Sequence, residues 1–415
     1  MALEKKMGFE KSLIGRLSAA VIVALVGGAC ARNLVNIRQP GESRTLSQKS
    51  EKKHTTEAVA KLSGSGEVAG DGFGTSIAIS GNTIVVGMPG RLGERGRVYL
   101  FTATKAGWRQ TTQLSGAGAL ANDGFGFSVA MSGRTIIVGA IGNLKGLPGG
   151  EFANRAEIFR ETNGVWKQSD TLKGPGANDT FGYSVAISGS TAIVGTPNYG
   201  DFTGQAYLFR GTQAGFKLTA EFTGAGAYAG LGISVATSGL TAVIGVPGRD
   251  GGRAYVLSEN QGIWTRSAEL TGSDTVAGDS FGYSVAISGA SIVVGAPDHA
   301  GFAGRAYVFR KLGASWKQVA ELRGSGLTAD DEFGASVAIS GSIAVVGAYY
   351  ADSDAGRAFV FKRIGNSWKQ VAELQEPGIT QQDEFGSSVA VSGVTAVVGA
   401  PLQARQAGAA YVFQV

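Results

Sequence analysis

The pair Phe-Gly recurs at Phe73-Gly74, Phe125-Gly126, Phe181-Gly182, Phe281-Gly282, Phe333-Gly334 and Phe385-Gly386. Leu231-Gly232 fills the one gap, and successive spacings are 52, 56, 50, 50, 52 and 52 residues. A period of that length means one supersecondary unit repeated, each copy burying its apolar surface against its neighbours. In the fifth copy Phe281-Gly282 is followed by Ser284-Val285-Ala286-Ile287-Ser288-Gly289, Ile292-Val293-Val294-Gly295, Ala306-Tyr307-Val308-Phe309 and then Trp316 to Leu322. Each block is short, rich in β-branched or aromatic residues and bounded by glycine, so each copy reads as four strands.

Ser288-Gly289-Ala290-Ser291 puts glycine first in a two-residue connection, which matches a type II′ hairpin. The second strand is apolar on both faces and is expected to be buried on both. The fourth alternates Trp316, Gln318, Ala320 and Leu322 against Lys317, Val319 and Glu321, the pattern of a half-exposed outer strand. Seven four-stranded antiparallel sheets predict an all-β chain folded as a seven-bladed β-propeller, because radial packing gives each sheet a neighbour on both faces and leaves only short edges. The seventh copy ends at Tyr411-Val412-Phe413-Gln414-Val415 without its outer strand, while Ala58-Val59-Ala60-Lys61-Leu62 precedes the first Phe-Gly. The N-terminal segment is therefore expected to complete the last blade. Glycine, 66 of 415 residues, follows no G-X-Y period and falls at matching positions in the copies, where it marks turns and close sheet approach.

Before the repeats, Lys5, Lys6, Lys11 and Arg16 precede an apolar run from Leu17 to Val26 that ends in Gly27, Gly28 and Ala29. The run is too short for a bilayer span, which takes about 20 residues, so residues 1–31 read as an export signal. Cys30, the only cysteine, resembles the lipidated cysteine of bacterial lipoproteins, although Gly27 stands where that motif usually has Leu. Ala29-Cys30-Ala31 equally fits an A-x-A cleavage site with release before Arg32. These two readings place the chain outside the bacterial cytoplasm, as a cell-envelope lipoprotein or a secreted protein; the alternative is an uncleaved anchor or a chance pattern. Residues 32–57 carry no apolar period and are expected to be a flexible basic tether to a propeller spanning 58–415. The leader holds four basic and two acidic residues and the tether six and three, leaving 27 of each in the propeller. Net charge therefore gives no support to nucleic-acid binding. Lipidated Cys30 with the basic tether would attach the chain to a membrane, and a monomer is expected.

The repeat resembles the FG-GAP repeat of integrin α-subunit propellers and their bacterial relatives. Phe281-Gly282 with Gly295-Ala296-Pro297, and Phe385-Gly386 with Gly399-Ala400-Pro401, carry both naming elements. The resemblance covers roughly residues 58–415 and implies a recognition or adhesion function. Calcium-binding FG-GAP blades resemble EF-hand loops in carrying an acidic insertion between strands one and two. Here that connection is Ser-Gly-x-x in all seven copies, too short for the six to eight oxygen ligands that calcium needs. No metal site and no cofactor are expected.

An Asp stands two residues before six of the seven pairs, at Asp71, Asp123, Asp179, Asp279, Asp331 and Asp383. It reads either as a carboxylate ring or as an Asx-type turn accepting a nearby backbone N–H. Trp108, Trp166, Trp264, Trp316 and Trp368 read as packing between blades or as a stacking platform. With strand one running from top to bottom, the Ser-Gly hairpins lie at the bottom and all length variation lies in the top loops. Those loops carry Tyr199 and Phe202; His299 and Phe302; and Tyr349, Tyr350, Asp352 and Asp354, which are binding material on a rigid scaffold or ordinary solvated loops. With two His and one Cys there is no triad, metal set or P-loop. The expected function is non-enzymatic recognition of a protein or glycan through the top face. The rivals are a carboxylate-dependent glycan hydrolase or lyase and a purely structural envelope protein. Calcium should leave the melting temperature unchanged; a calcium-dependent rise that maps to the Ser-Gly hairpins would overturn the metal-free reading.

Overall fold

The computed structural model describes residues 55–90, 95–117, 123–142, 154–174, 180–248 and 250–415. The export signal, Cys30, Asp179 and most of the tether lie outside them. Two short strands, β1 (Thr55–Glu57) and β2 (Ala60–Leu62), precede a first blade made of β3 (Ser76–Ser80), β4 (Thr83–Met88), β5 (Arg97–Thr104) and β6 (Gly107–Leu114). Six further antiparallel sheets repeat this order, so the all-β seven-bladed propeller is the fold.

Ring closure is as the sequence requires. In the last blade β2 pairs with Ala409–Gln414 as the outer strand, with Ala60 opposite Val412 and Leu62 opposite Ala410. One pairing was not legible. β1 adds a fifth, parallel strand to the sixth blade, with Thr55 opposite Glu373, so the propeller begins at residue 55 and not at 58. Thr-Thr-Glu has no apolar pattern, and its pairing rests on the free backbone groups of an outer strand, which side-chain periodicity does not report. A second departure lies in the outer strands. Val308 pairs with Ala320 and Phe309 with Gln318, leaving Val319 in a β-bulge. The bulge breaks the alternation and packs Val319 against the core between blades five and six.

Seven separate apolar clusters hold the ring, one between each pair of neighbouring blades. Ile84, Val86 and Met88 of β4 pack with Val397, Ala410 and Val412 of the last blade. Val85, on the other face of β4, packs with Ile136 and Val138 of the second. This two-sided burial explains why the second strands are apolar throughout. The repeated Trp residues join these clusters, as Trp108, Trp166, Trp264, Trp316 and Trp368 each pack at a blade interface. The six Phe of the Phe-Gly pairs are buried there as well.

Glycine sets how closely the blades approach. A Cβ on Gly295 would lie 1.9 Å from the carbonyl oxygen of Gly334 in the next blade, and one on Gly399 would lie 2.3 Å from that of Gly74, across the seam. The carbonyl that glycine leaves room for is also an acceptor. Ser76 Oγ donates to Gly126 O at 2.8 Å, and Ser388 Oγ to Gly74 O at 2.7 Å. The two glycines that bound each repeat's signature thus meet across blades, not within one.

The bottom face carries a second ring. Each Ser-Gly hairpin has positive φ at its glycine alone, for instance 57° at Gly81, as a type II′ turn requires. Each hairpin glycine donates its N–H to the serine of the preceding blade: Gly133 to Ser80 Oγ at 3.2 Å, Gly341 to Ser288 Oγ at 3.0 Å, and Gly81 back to Ser392 Oγ at 3.3 Å. Two glycine substitutions separate the contributions. Gly295→Ala should destabilise by about 3 kcal/mol or more, because backbone must move. Gly289→Ala, with open space around it and only its φ of 55° to oppose, should cost about 1 kcal/mol. Equal midpoints in urea unfolding would refute the close-approach argument.

Candidate functional site

The innermost strands touch one another around the axis, so the residue two places after each Phe sits where they begin at the top. These positions hold Thr75, Phe127, Tyr183, Ile233, Tyr283, Ala335 and Ser387. Phe127 and Tyr183 meet across blades with ring centroids 5.2 Å apart. Burial pushes the Tyr283 hydroxyl well above its ordinary pKa, and Tyr183, Glu332, Asp298 and Tyr350 are near enough to raise it further. Tyr349, where the fifth and seventh copies have Pro297 and Pro401, adds a ring to the same place, 4.3 Å from that of Tyr350. Burial raises its hydroxyl too, with Tyr283 and Glu332 among the neighbours that add to the rise.

The loops from strand two to strand three are built in an unusual way. In blades three, five, six and seven three consecutive residues have positive φ: Gly200, Asp201 and Phe202; Ala300, Gly301 and Phe302; Asp352, Ser353 and Asp354; Ala404, Arg405 and Gln406. Each is a short left-handed turn, a conformation that opposes most L-residues by about 1–2 kcal/mol apiece. Backbone hydrogen bonds to the next blade hold it. The carbonyl of Phe302 accepts from Glu332 N–H at 2.8 Å, that of Asp354 from Glu384 N–H at 2.9 Å, and that of Phe202 from Gly230 N–H at 2.8 Å.

The acceptors' partners are informative. The residue just before the Phe-Gly position has positive φ in six blades and is Gly72, Gly124, Gly230, Ser280, Glu332 and Glu384. Two neighbouring blades thus place a glutamate where three others use glycine. Burial, then Asp354, then Glu332, push the Glu384 carboxyl up to about 7. Burial raises the Asp354 carboxyl as well. Tyr283, Tyr349, Tyr350, Glu332, Glu384 and Asp354 together form an aromatic and acidic mouth on the side of blades five to seven. Among the described residues no group of three or more His, Cys, Asp or Glu is placed to hold a metal ion.

Of the residues expected at the site, Tyr349, Tyr350 and Asp354 belong to this mouth. Phe302 contributes its carbonyl to the backbone of Glu332, and its left-handed φ of 65° shapes the same wall. His299 does not join it. Its Nδ1 is 2.8 Å from Asp279 Oδ2, Asp274 lies beyond its other nitrogen at 3.7 Å, and Tyr307 packs against its edge. Phe202 stacks on Tyr228 of the next blade at 5.9 Å, which is packing between loops. Tyr199 is half-buried in the third blade, away from the acids. Asp352 is 69% exposed and lies 3.8 Å from Arg357.

Among the described residues the Asp before the Phe-Gly pair is largely a turn residue. Asp71 accepts the Val68 N–H at 2.8 Å, Asp279 that of Val276 at 2.6 Å, and Asp383 that of Thr380 at 2.7 Å. Asp123 departs from this. It pairs through both oxygens with Arg155, which also holds buried Glu157. Glu157 stands where the other copies have Tyr99, Tyr207, Tyr255, Tyr307, Phe359 and Tyr411.

A carboxyl held near 7 makes stability depend on pH. Glu384 binds its proton more tightly folded than unfolded, so its favourable contribution is complete below about 4.5 and is lost as pH rises toward about 7. Glu384→Gln should flatten that fall. Relative to the variant, the parent protein should melt lower at pH 8 than at pH 4.5; parallel melting curves across this range would place the carboxyl in water.

The FG-GAP repeat profile matches residues 56–101, 108–151, 171–209, 264–309, 316–361 and 368–413, more than half of the chain. No curated protein matches. The unmatched stretch between 209 and 264 contains Leu231-Gly232 and still supplies three strands of a complete blade, Val235–Ser238, Thr241–Val246 and Arg253–Asn260, whose outer strand Ile263–Leu270 opens the next matched repeat. Six matched repeats in register, together with seven blades locked by the glycines of those repeats, make this chain a member of the FG-GAP repeat family.

Proposed function

We propose that the propeller is a non-enzymatic recognition module that binds a protein or glycan ligand at the axial mouth of its top face. The observation that carries this is the pair Glu332 and Glu384. Each holds a left-handed backbone, φ 54° in both, at a position that glycine fills in three other blades. Strain at a buried acidic side chain is retained only where the side chain is used or the surroundings over-determine it. Tyrosine rings offer stacking faces, and the carboxylates offer acceptors for hydroxyl or ammonium groups, as sugars and basic protein side chains present. The module belongs in this reading to an exported bacterial protein, monomeric, either released or held at the envelope through lipidated Cys30.

A second reading has one observation in its favour. Glu384, pushed up to about 7 beside Asp354 and Glu332, has the environment of a general acid in a carboxylate-dependent glycan hydrolase or lyase. Glycan and envelope-protein arrays distinguish the two. Glu384→Gly and Glu332→Gly suit the local backbone and should fold, yet lose binding by at least about tenfold, as should Tyr349→Ala with Tyr350→Ala. Unchanged binding by all three would sink the assignment of the mouth. Turnover of an array hit that stops in Glu384→Gln while binding persists would establish the enzyme, and absence of any hit would favour a purely structural envelope protein.

A further inference from the structure

The equal numbers of acidic and basic residues in the propeller conceal their separation. Strand direction puts the hairpins between strands three and four on the bottom face, beside the Ser-Gly hairpins and opposite the acidic mouth. In blade five the hairpin carries Arg310, Lys311 and Lys317, and in blade six Lys362, Arg363 and Lys369, with no acidic residue between Arg310 and Lys317 or between Lys362 and Lys369. Lys311, Lys317, Lys362 and Lys369 are exposed. Acids do occur in the equivalent hairpins of other blades, but they are taken: Glu259 by Arg210 at 2.6 Å and Glu161 by Arg134 at 3.0 Å.

At the same hairpins large aliphatic side chains point into water. Ile263 of blade four, Leu312 of blade five and Ile364 of blade six are 67%, 48% and 54% exposed, while the cores beside them are filled by Trp264, Trp316 and Trp368. We infer that this basic and aliphatic rim of blades four to six docks on an anionic lipid bilayer surface. The lysines meet the headgroup charge, each contributing a similar increment to adsorption, and Ile263, Leu312 and Ile364 enter the headgroup layer. Charge alone would serve any polyanion. The exposed aliphatics select a bilayer, since a nucleic acid or an acidic polysaccharide offers them no apolar depth. The docking face is opposite the mouth, so it stands whether or not the mouth binds the ligand class proposed above, and such docking would turn the mouth away from the membrane.

The test uses residues 55–415, which contain every strand of the closed ring and exclude the export signal and Cys30. Flotation with phosphatidylcholine vesicles, with and without phosphatidylglycerol, should show binding to the anionic vesicles only. Lys311→Glu, Lys317→Glu, Lys362→Glu and Lys369→Glu combined should weaken it by at least about tenfold. Leu312→Ser with Ile364→Ser should weaken vesicle binding while leaving retention on dextran sulfate beads unchanged. All of these positions are exposed, and unchanged urea midpoints confirm that the variants fold. Equal binding to both vesicle types, or no loss in the charge variant, overturns the proposal. Loss in the charge variant without loss in the aliphatic one assigns the rim to a soluble polyanion and overturns it equally.

Discussion

The contact on which the ring depends is between two glycines of neighbouring blades, typified by Gly295 against Gly334. It is a constraint of distance. Backbone approaches backbone where no Cβ could stand, a serine hydroxyl ties the two, and the buried Phe beside them enters the cluster between the sheets. Because the same contact recurs at Gly399 and Gly74, the seam between the last blade and the first is geometrically like every other interface. Close approach permits the apolar second strands to be covered on both faces, and so permits a 415-residue chain to spread its core over seven small clusters.

That regularity explains what could be read in advance. Blade number, strand order, turn type and the closing outer strand all follow from side chains repeated at fixed offsets, such as Gly289 in its hairpin or Lys61 between Ala60 and Leu62. What escaped was held by backbone groups alone. β1 pairs through its peptide groups, the bulge at Val319 interrupts a strand whose sequence pattern runs on unbroken, and the ring of Gly N–H to Ser Oγ bonds joins residues whose sequence positions suggest only a turn.

The candidate site was legible in part for the same reason. Tyr349, Tyr350 and Asp354 are conspicuous as aromatic and acidic residues in a top loop. Glu332 and Glu384 are inconspicuous because they adjoin the Phe-Gly pair and look like part of the repeat. Comparing copies with one another exposes them, since glycine occupies that position at Gly72, Gly124 and Gly230. His299 shows the converse: a rare residue in a variable loop, it is engaged by Asp279 and Tyr307 within its own blade. In a repeat protein rarity within the chain is a weaker signal than departure from the residue that the other copies place at the same point.

The pairing of β2 with Ala409–Gln414 has a kinetic meaning. Residues 60–62 are made among the first of the propeller and their partners among the last, a separation near the maximum that the domain allows. Until the seventh blade has been made, the first blade has no neighbour on one face and residues 60–62 have no strand to pair with. Six interfaces can form in order as the chain lengthens, but the seventh can form only once, at the end, and it converts an open stack with two exposed sheet faces into a ring with none.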